Sequence, residues 1–226
     1  MSKLQYEKTE GLSTKFQNWR HYNRFVPTLK SAQIYRAATL SIHPDLAEAK
    51  AVLKEKNIKT VIDLRAPREL KEYPYDEALT ASVNYVHAPF DPWDQPEWFV
   101  EKHHQGTGIE IAYRFFILAC QPYFKQAIQA ILDTQEGAVL VHCHAGKDRT
   151  GLLLASIQLL LGTDNEDVMQ DYLASEQDTV PEKLNMLFDE IQKQGSIAAY
   201  FSYQGVDAVM QQALKEKLGA FNIKSM

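Results

Sequence analysis

The sequence predicts a single α/β domain, a central and largely parallel sheet flanked by helices. Three observations carry that expectation. Apolar, β-branched runs at residues 60–65 and 139–142 read as buried strands. Longer segments with apolar residues at helical spacing alternate with them, as a parallel sheet requires. With 226 residues and 45% hydrophobic content, the chain can bury one substantial core.

The elements follow in chain order. Residues 1–17 are polar and unpatterned, an arm ahead of one domain over 18–226. Ile34–Ala37 is a short strand. Residues 44–56 form an amphipathic helix with Leu46, Ala49, Val52 and Leu53 on one face and Pro44 in the first turn. Residues 60–65 are the first buried strand, 67–73 a short helix or turn, and 84–90 another strand. Residues 109–133 have helical periodicity, which Pro122 kinks or splits, and Cys120 within them reads as core. His103 and His104 precede Gly106-Thr107-Gly108 and read as a solvated linker or lid. A long apolar helix fills 151–161. Asp164 caps the next, Pro181 opens one running to about Gln194, and a last one ends near Leu218.

Charge and composition exclude several classes. The net charge of −5 argues against a general nucleic-acid partner. The first eight residues contain no apolar leader-like run, and the apolar stretch 151–162 is too short to span a bilayer. Two cysteines make no disulfide framework, so the expectation is a cytoplasmic protein with no transmembrane segment.

The chemistry concentrates in His142-Cys143-His144-Ala145-Gly146-Lys147-Asp148-Arg149-Thr150-Gly151, between the strand and the long helix. A loop leading into a helix turns several backbone N–H groups into one concavity, and the helix dipole adds positive potential. Gly146 is free to take φ > 0 and so lets the loop wrap an anion. Arg149 adds a planar fork for two phosphate oxygens. The same field favours Cys143 as a thiolate, in line with a bound phosphorus. Thr150 is expected to cap the helix and to donate to the sulfur. A metal reading of His142, Cys143 and His144 is weak, because alternate residues at a strand end face opposite ways.

The same motif resembles the phosphate-binding loop of the tyrosine phosphatase-like family of bacteria and fungi. Those atypical cysteine-dependent enzymes act on phosphotyrosine and often on phosphoinositides. The Lys147-Asp148 pair places the resemblance in this branch. Asn18-Trp19-Arg20 with Ile34-Tyr35-Arg36-Ala37-Ala38, Asp63-Leu64-Arg65 and the 195–207 segment are also similar to the family's pattern. The first differs in reading His21-Tyr22-Asn23 without the family's glycine pair. The resemblance implies a cysteine-phosphatase fold, a cysteinyl-phosphate intermediate and no cofactor. It implies that residues 144–150 (His144, Ala145, Gly146, Lys147, Asp148, Arg149, Thr150) bind the substrate phosphate.

Two aspartates compete as the acid that protonates the leaving oxygen. Asp91 opens the Pro- and Trp-rich stretch 91–98, which reads as a mobile lid. Asp148 lies inside the loop, where a neighbouring dianion favours the protonated carboxyl. Lys147 either meets a second phosphate, as the resemblance implies, or is a surface lysine paired with an acid. The substrate is accordingly a phosphorylated protein or a phosphoinositide. A silent phosphate-binding module and a sulfurtransferase are the rival classes.

Overall fold

The structure, a computed structural model, describes residues 16–26, 29, 33–175 and 178–219. Five strands, β1 (Arg20–His21), β2 (Ile34–Ala37), β3 (Ile58–Asp63), β4 (Asn84–His87) and β5 (Ala138–His142), form one sheet in the order β1-β2-β5-β3-β4. All neighbouring pairs are parallel except β1 with β2. Strand β5 is therefore the middle of the sheet and is buried along its whole length. Its apolar run needs both faces covered, and both are.

Alternating side chains divide between two cores, as the period of a strand dictates. Tyr35, Val61 and Leu140 face a smaller cluster with α1 (Leu46–Glu55) and α3 (Glu77–Thr80). Ile34, Ile62, Val139 and Val141 face the larger one. That cluster is built from α4 (Glu97–His103), α5 (Gly108–Leu118), α6 (Gln121–Asp133), α7 (Asp148–Leu160), α8 (Asn165–Leu173), α9 (Pro181–Gln194), α10 (Ile197–Tyr203) and α11 (Ala208–Leu218). Helix α2 (Pro67–Glu72) follows β3 and buries no residue fully. Nearly every residue of α7 is buried, so it runs through the core rather than along it. Among the described residues no helix is long and apolar enough to cross a membrane.

Local chemistry explains most boundaries. Pro122 splits the 109–133 segment by sitting in the first turn of α6, where its missing N–H costs nothing. Asp164 caps α8 through the N–H of Asp167, and Pro181 is the first residue of α9. Two expectations need correction. Pro44 lies outside α1, whose cap is Asp45, accepting from the N–H groups of Ala47 and Glu48. Leu46 shares a face with Ala49, Val52 and Leu53 but is exposed, because it is the first residue of the helix and stands at its end. Of the arm expected over 1–17, Phe16 is buried and stacks on His43, and the Gln17 carbonyl accepts from Ala38 N–H. The rest of that arm lies outside the described residues.

Candidate active site

Strand β5 pairs with β2 and β3 up to its last residue, with His142 opposite both Ala37 and Asp63. The chain then leaves the carboxyl edge of the sheet at Cys143, where α/β folds bind ligands. Cys143 is buried. The turn into α7 runs against the end of β2. Gly146 has φ +66°, and a Cβ there would lie 2.1 Å from the Ala37 carbonyl oxygen and 2.5 Å from Ala38 N. Both the backbone conformation and the space demand glycine.

The loop's carbonyls set its shape, each bound to a partner of its own. The Cys143 carbonyl accepts from His142 Nδ1–H at 2.9 Å. That of His144 accepts from Thr39 N–H at 3.0 Å, and that of Ala145 from Asn18 Nδ2–H at 2.7 Å. The Gly146 carbonyl accepts from Arg36 Nη2–H at 2.8 Å, and that of Lys147 from Gly151 N–H at 2.8 Å. Among the described residues no backbone acceptor takes the N–H groups of residues 144–149, and the helix N-cap, Lys147, supplies no side-chain cap. Five carbonyls are drawn off to separate partners while consecutive N–H groups stay unclaimed. That is an anion nest on a helix N-terminus.

The braces behind this loop are ionic and buried. Arg36 binds Asp171 at 2.9 Å as well as the Gly146 carbonyl, and Arg20 binds the other oxygen of Asp171 at 2.8 Å. Ser175 Oγ lies within hydrogen-bond distance of both arginines. Burial pushes the Asp171 carboxyl up, but the two guanidinium groups outweigh it and hold it below its usual range. On the far side, Asp63 receives Arg65 at 2.7 Å and the Tyr85 hydroxyl at 2.7 Å. Burial raises Asp63, yet His142 and Arg65 bring its pKa to about 2. His142 is itself buried, which lowers its pKa, and its Nε2 accepts from the Tyr75 hydroxyl at 2.9 Å. The Asp63–Arg65 ion pair thus reaches the loop through His142 at the end of β5.

Arg149, in the first turn of α7, is held by a residue the sequence reading missed. Both oxygens of Glu69 take its two terminal nitrogens, at 2.5 and 2.8 Å. Glu69 Oε2 also accepts from Ala66 N–H, so the carboxylate is fixed by the start of α2. Burial works against the Arg149 charge, but Glu69 and Cys143 more than offset it. The one signal for Glu69 was an acid in the first turn of a helix that Pro67 opens, without any hint that it would face Arg149.

The two candidate acids stand differently. Asp148 is the first residue of α7; its Oδ1 accepts from the Tyr113 hydroxyl, and its Oδ2 lies 3.6 Å from Lys147 Nζ. Asp91 follows Phe90, whose N–H binds the Leu64 carbonyl that Arg149 Nη1 also approaches at 3.4 Å. Asp91 therefore borders the site, but its Oδ1 caps a turn by accepting from Trp93 N–H at 3.1 Å. Trp93 of the same stretch lies against the Arg68 guanidinium of α2.

Lys147 is not a surface lysine. It is buried, and its Nζ reaches Asp178 at 2.5 Å, a carboxylate that Lys183 also binds at 3.2 Å. The ring of His144 lies 5.3 Å from that of Tyr73. Thr150 departs from expectation on both counts. It is the third residue of α7 and not its cap, and its buried Oγ1 has no hydrogen-bond partner among the described residues. The loop reaches Lys147 before turning helical, so the cap position falls there. His103 ends α4 and His104 donates its Nδ1–H to Val100, away from the loop. Cys120 is buried, as core.

Comparison with known proteins places this geometry. Residues 14–216 match the model of a family described as the tyrosine phosphatase family. A tyrosine-protein phosphatase of Nostoc commune is 42% identical over 64 residues, 28% of this chain and 22% of its own length. An inositol diphosphatase of Arabidopsis thaliana is 32% identical over 74 residues, 28% of this chain and 37% of its own. The chain thus spans well under half the length of these two relatives. Among solved structures, PTPMT1 in complex with PI(5)P superposes with a TM-score of 0.49 at 13% identity, over 80% of this chain and 100% of that one.

Proposed function

The chain belongs to the tyrosine phosphatase family, and from that premise we propose that it hydrolyses phosphotyrosine in proteins through a cysteinyl-phosphate intermediate. The observation that carries the reading is the outward binding of every carbonyl from Cys143 to Lys147, which leaves the N–H groups around the Cys143 thiol for an anion. Phosphoserine and phosphothreonine are expected as weaker substrates of the same site.

The mechanism follows from the donors. The Cys143 thiolate attacks phosphorus as the bond to the leaving oxygen breaks. Arg149 has five N–H donors. Glu69 takes one from each terminal nitrogen and Leu64 lies near the second on Nη1. The Nε–H and the remaining Nη2–H, which share the side edge of the guanidinium, are left for two phosphate oxygens. With the loop N–H groups they stabilise charge on the equatorial oxygens of the transition state. Asp148 gives its proton to the leaving oxygen. It then takes one from water, which attacks phosphorus, breaks the S–P bond and returns the thiolate with inorganic phosphate. Asp148 is preferred to Asp91 as the acid because it starts the helix on which the phosphate sits, whereas Asp91 is committed to its turn.

A second reading, a phosphoinositide phosphatase, is favoured by one feature. Lys147 and Lys183 meet at Asp178 beside the loop, two cations within reach of a substrate carrying a second phosphate. Phosphate release from a phosphotyrosine peptide and from a soluble phosphoinositide, with Cys143→Ser as the blank, separates the two. Preference for the peptide supports the first reading, and greater release from the phosphoinositide supports the second. Release from neither would leave a silent phosphate-binding module. Sulfur transfer from thiosulfate to Cys143 would revive the sulfurtransferase.

A further inference from the structure

Two tyrosines outside the loop converge on its aspartate. Tyr113 of α5 and Tyr172 of α8 are both buried, and their hydroxyls lie 2.6 Å apart. The Tyr113 hydroxyl donates to Asp148 Oδ1. A phenol has one proton to give, so with Tyr113 committed to the carboxyl, Tyr172 must be the donor between the two hydroxyls. The chain of donation therefore runs Tyr172 to Tyr113 to Asp148.

The sequence makes room for it. A Cβ on Gly151 would lie 2.9 and 3.1 Å from two carbons of the Tyr172 ring, so the glycine after the loop lets that ring pack onto the first turn of α7. Burial raises both phenols far above the neutral range, and the Asp148 charge raises Tyr113 further, so both hydroxyls keep their protons. The charged groups around Asp148 are Lys147 at 3.6 Å, Arg149 next in the chain, and Asp178 behind Lys147. Lys183 Nζ lies 5.8 Å from the centre of the Tyr113 ring.

We propose that Tyr113, backed by Tyr172, is a positioning residue for proton transfer: it occupies Oδ1 of Asp148 and so leaves Oδ2 to carry the proton to the leaving oxygen. The inference rests on the reading of Asp148 as the acid. As the P–O bond breaks, the Oδ2 proton passes to the leaving oxygen and Asp148 becomes a carboxylate. A hydrogen bond from Tyr113 is stronger to that anion than to the neutral acid, so it favours the transition state over the ground state.

The test compares two esters, phenyl phosphate with a poor leaving group and p-nitrophenyl phosphate with a good one. Asp148→Asn should lose much more activity on the first than on the second. Tyr113→Phe keeps the ring and removes the hydroxyl. It should reproduce that pattern, with about a tenfold greater loss of kcat on phenyl phosphate, and add nothing further in the Asp148→Asn background. Tyr172→Phe, which leaves the Tyr113–Asp148 contact in place, should show the same pattern at smaller amplitude. If Asp148→Asn affects both esters equally, the acid assignment fails and takes the inference with it. If Asp148→Asn discriminates between the esters while Tyr113→Phe and Tyr172→Phe lower both equally with a fall in melting temperature, the tyrosines are structural. Positioning is then overturned and the acid reading stands.

Discussion

At Gly146 two demands meet, a left-handed backbone and a carbonyl lying where a side chain would begin. Gly146→Ala should cost about 1–3 kcal/mol of stability, because the new methyl must push β2 away or force the loop out of its conformation. A loop displaced by even an ångström should lose on the order of a hundredfold in kcat/KM. Thermal melting and p-nitrophenyl phosphate hydrolysis, measured on the same preparation, check both; unchanged values would mean the loop is not built as described. Arg149→Lys keeps the charge but not the planar fork that serves Glu69 and a phosphate together. It is expected to be nearly inactive, and wild-type turnover in that variant would rule the fork out. Cys143, Gly146 and Arg149 were legible because their spacing is local and each is set by the loop itself. Glu69 and Tyr113 were not, since they lie 80 and 35 residues from their partners Arg149 and Asp148. Only the folded chain brings those side chains together. Thr150 was misread because the helix begins three residues earlier than a cap at Thr150 requires, with its cap position at Lys147.

The elements repeat this division. Helices whose ends are written in their own first turn, such as α8 with Asp164 and α9 with Pro181, were readable residue by residue. The two-residue strand β1 and the one-turn helix α3 were missed, being too short to show a period. The most consequential omission is the contact of α8 with the sheet. Asp171 is one acid among several in a helix that also carries Glu166 and Asp167, and gives no sign that it is buried between Arg20 and Arg36. Asp171→Ala would leave two buried guanidinium groups uncompensated and should cost about 3–5 kcal/mol. It should also loosen the arm that holds the Gly146 carbonyl, lowering activity in the molecules that remain folded. Urea unfolding reads the first effect; a loss well under 1 kcal/mol would show that the network does not support the fold.

Across the whole molecule, the central position of β5 puts the loop at the sheet's middle, with charged groups buried behind it on both sides. Their pH dependence has one sign. Asp63, with a folded pKa of about 2, contributes stability that is present above the unfolded carboxyl value and is lost as pH falls through the folded one. That contribution is on the order of 2 kcal/mol and disappears between about pH 4 and pH 2. Asp171, also depressed, acts in the same direction. His142 is held neutral by burial, so the unfolded chain binds its proton first and stability begins to fall below about pH 6.5. Urea midpoints should therefore decline steadily from pH 7 to pH 3. A midpoint that rises on acidification would contradict the buried-charge account. The fold class was legible from strand–helix alternation, because a middle strand buried on both faces must be apolar throughout. The Arg20–Asp171–Arg36 part of the ionic layer behind the loop was not, because its members each look like ordinary surface charges.

The central claim is covalent chemistry at Cys143, and rapid quenching tests it most directly. The protein is mixed with p-nitrophenyl phosphate, stopped in acid within the first turnover, digested and weighed peptide by peptide. One phosphoryl group should appear on the peptide containing Cys143 and be absent from Cys143→Ser, which should also release no phosphate. Phosphate release that persists in Cys143→Ser, with no phosphoryl group on that peptide in the unaltered protein, would contradict the account.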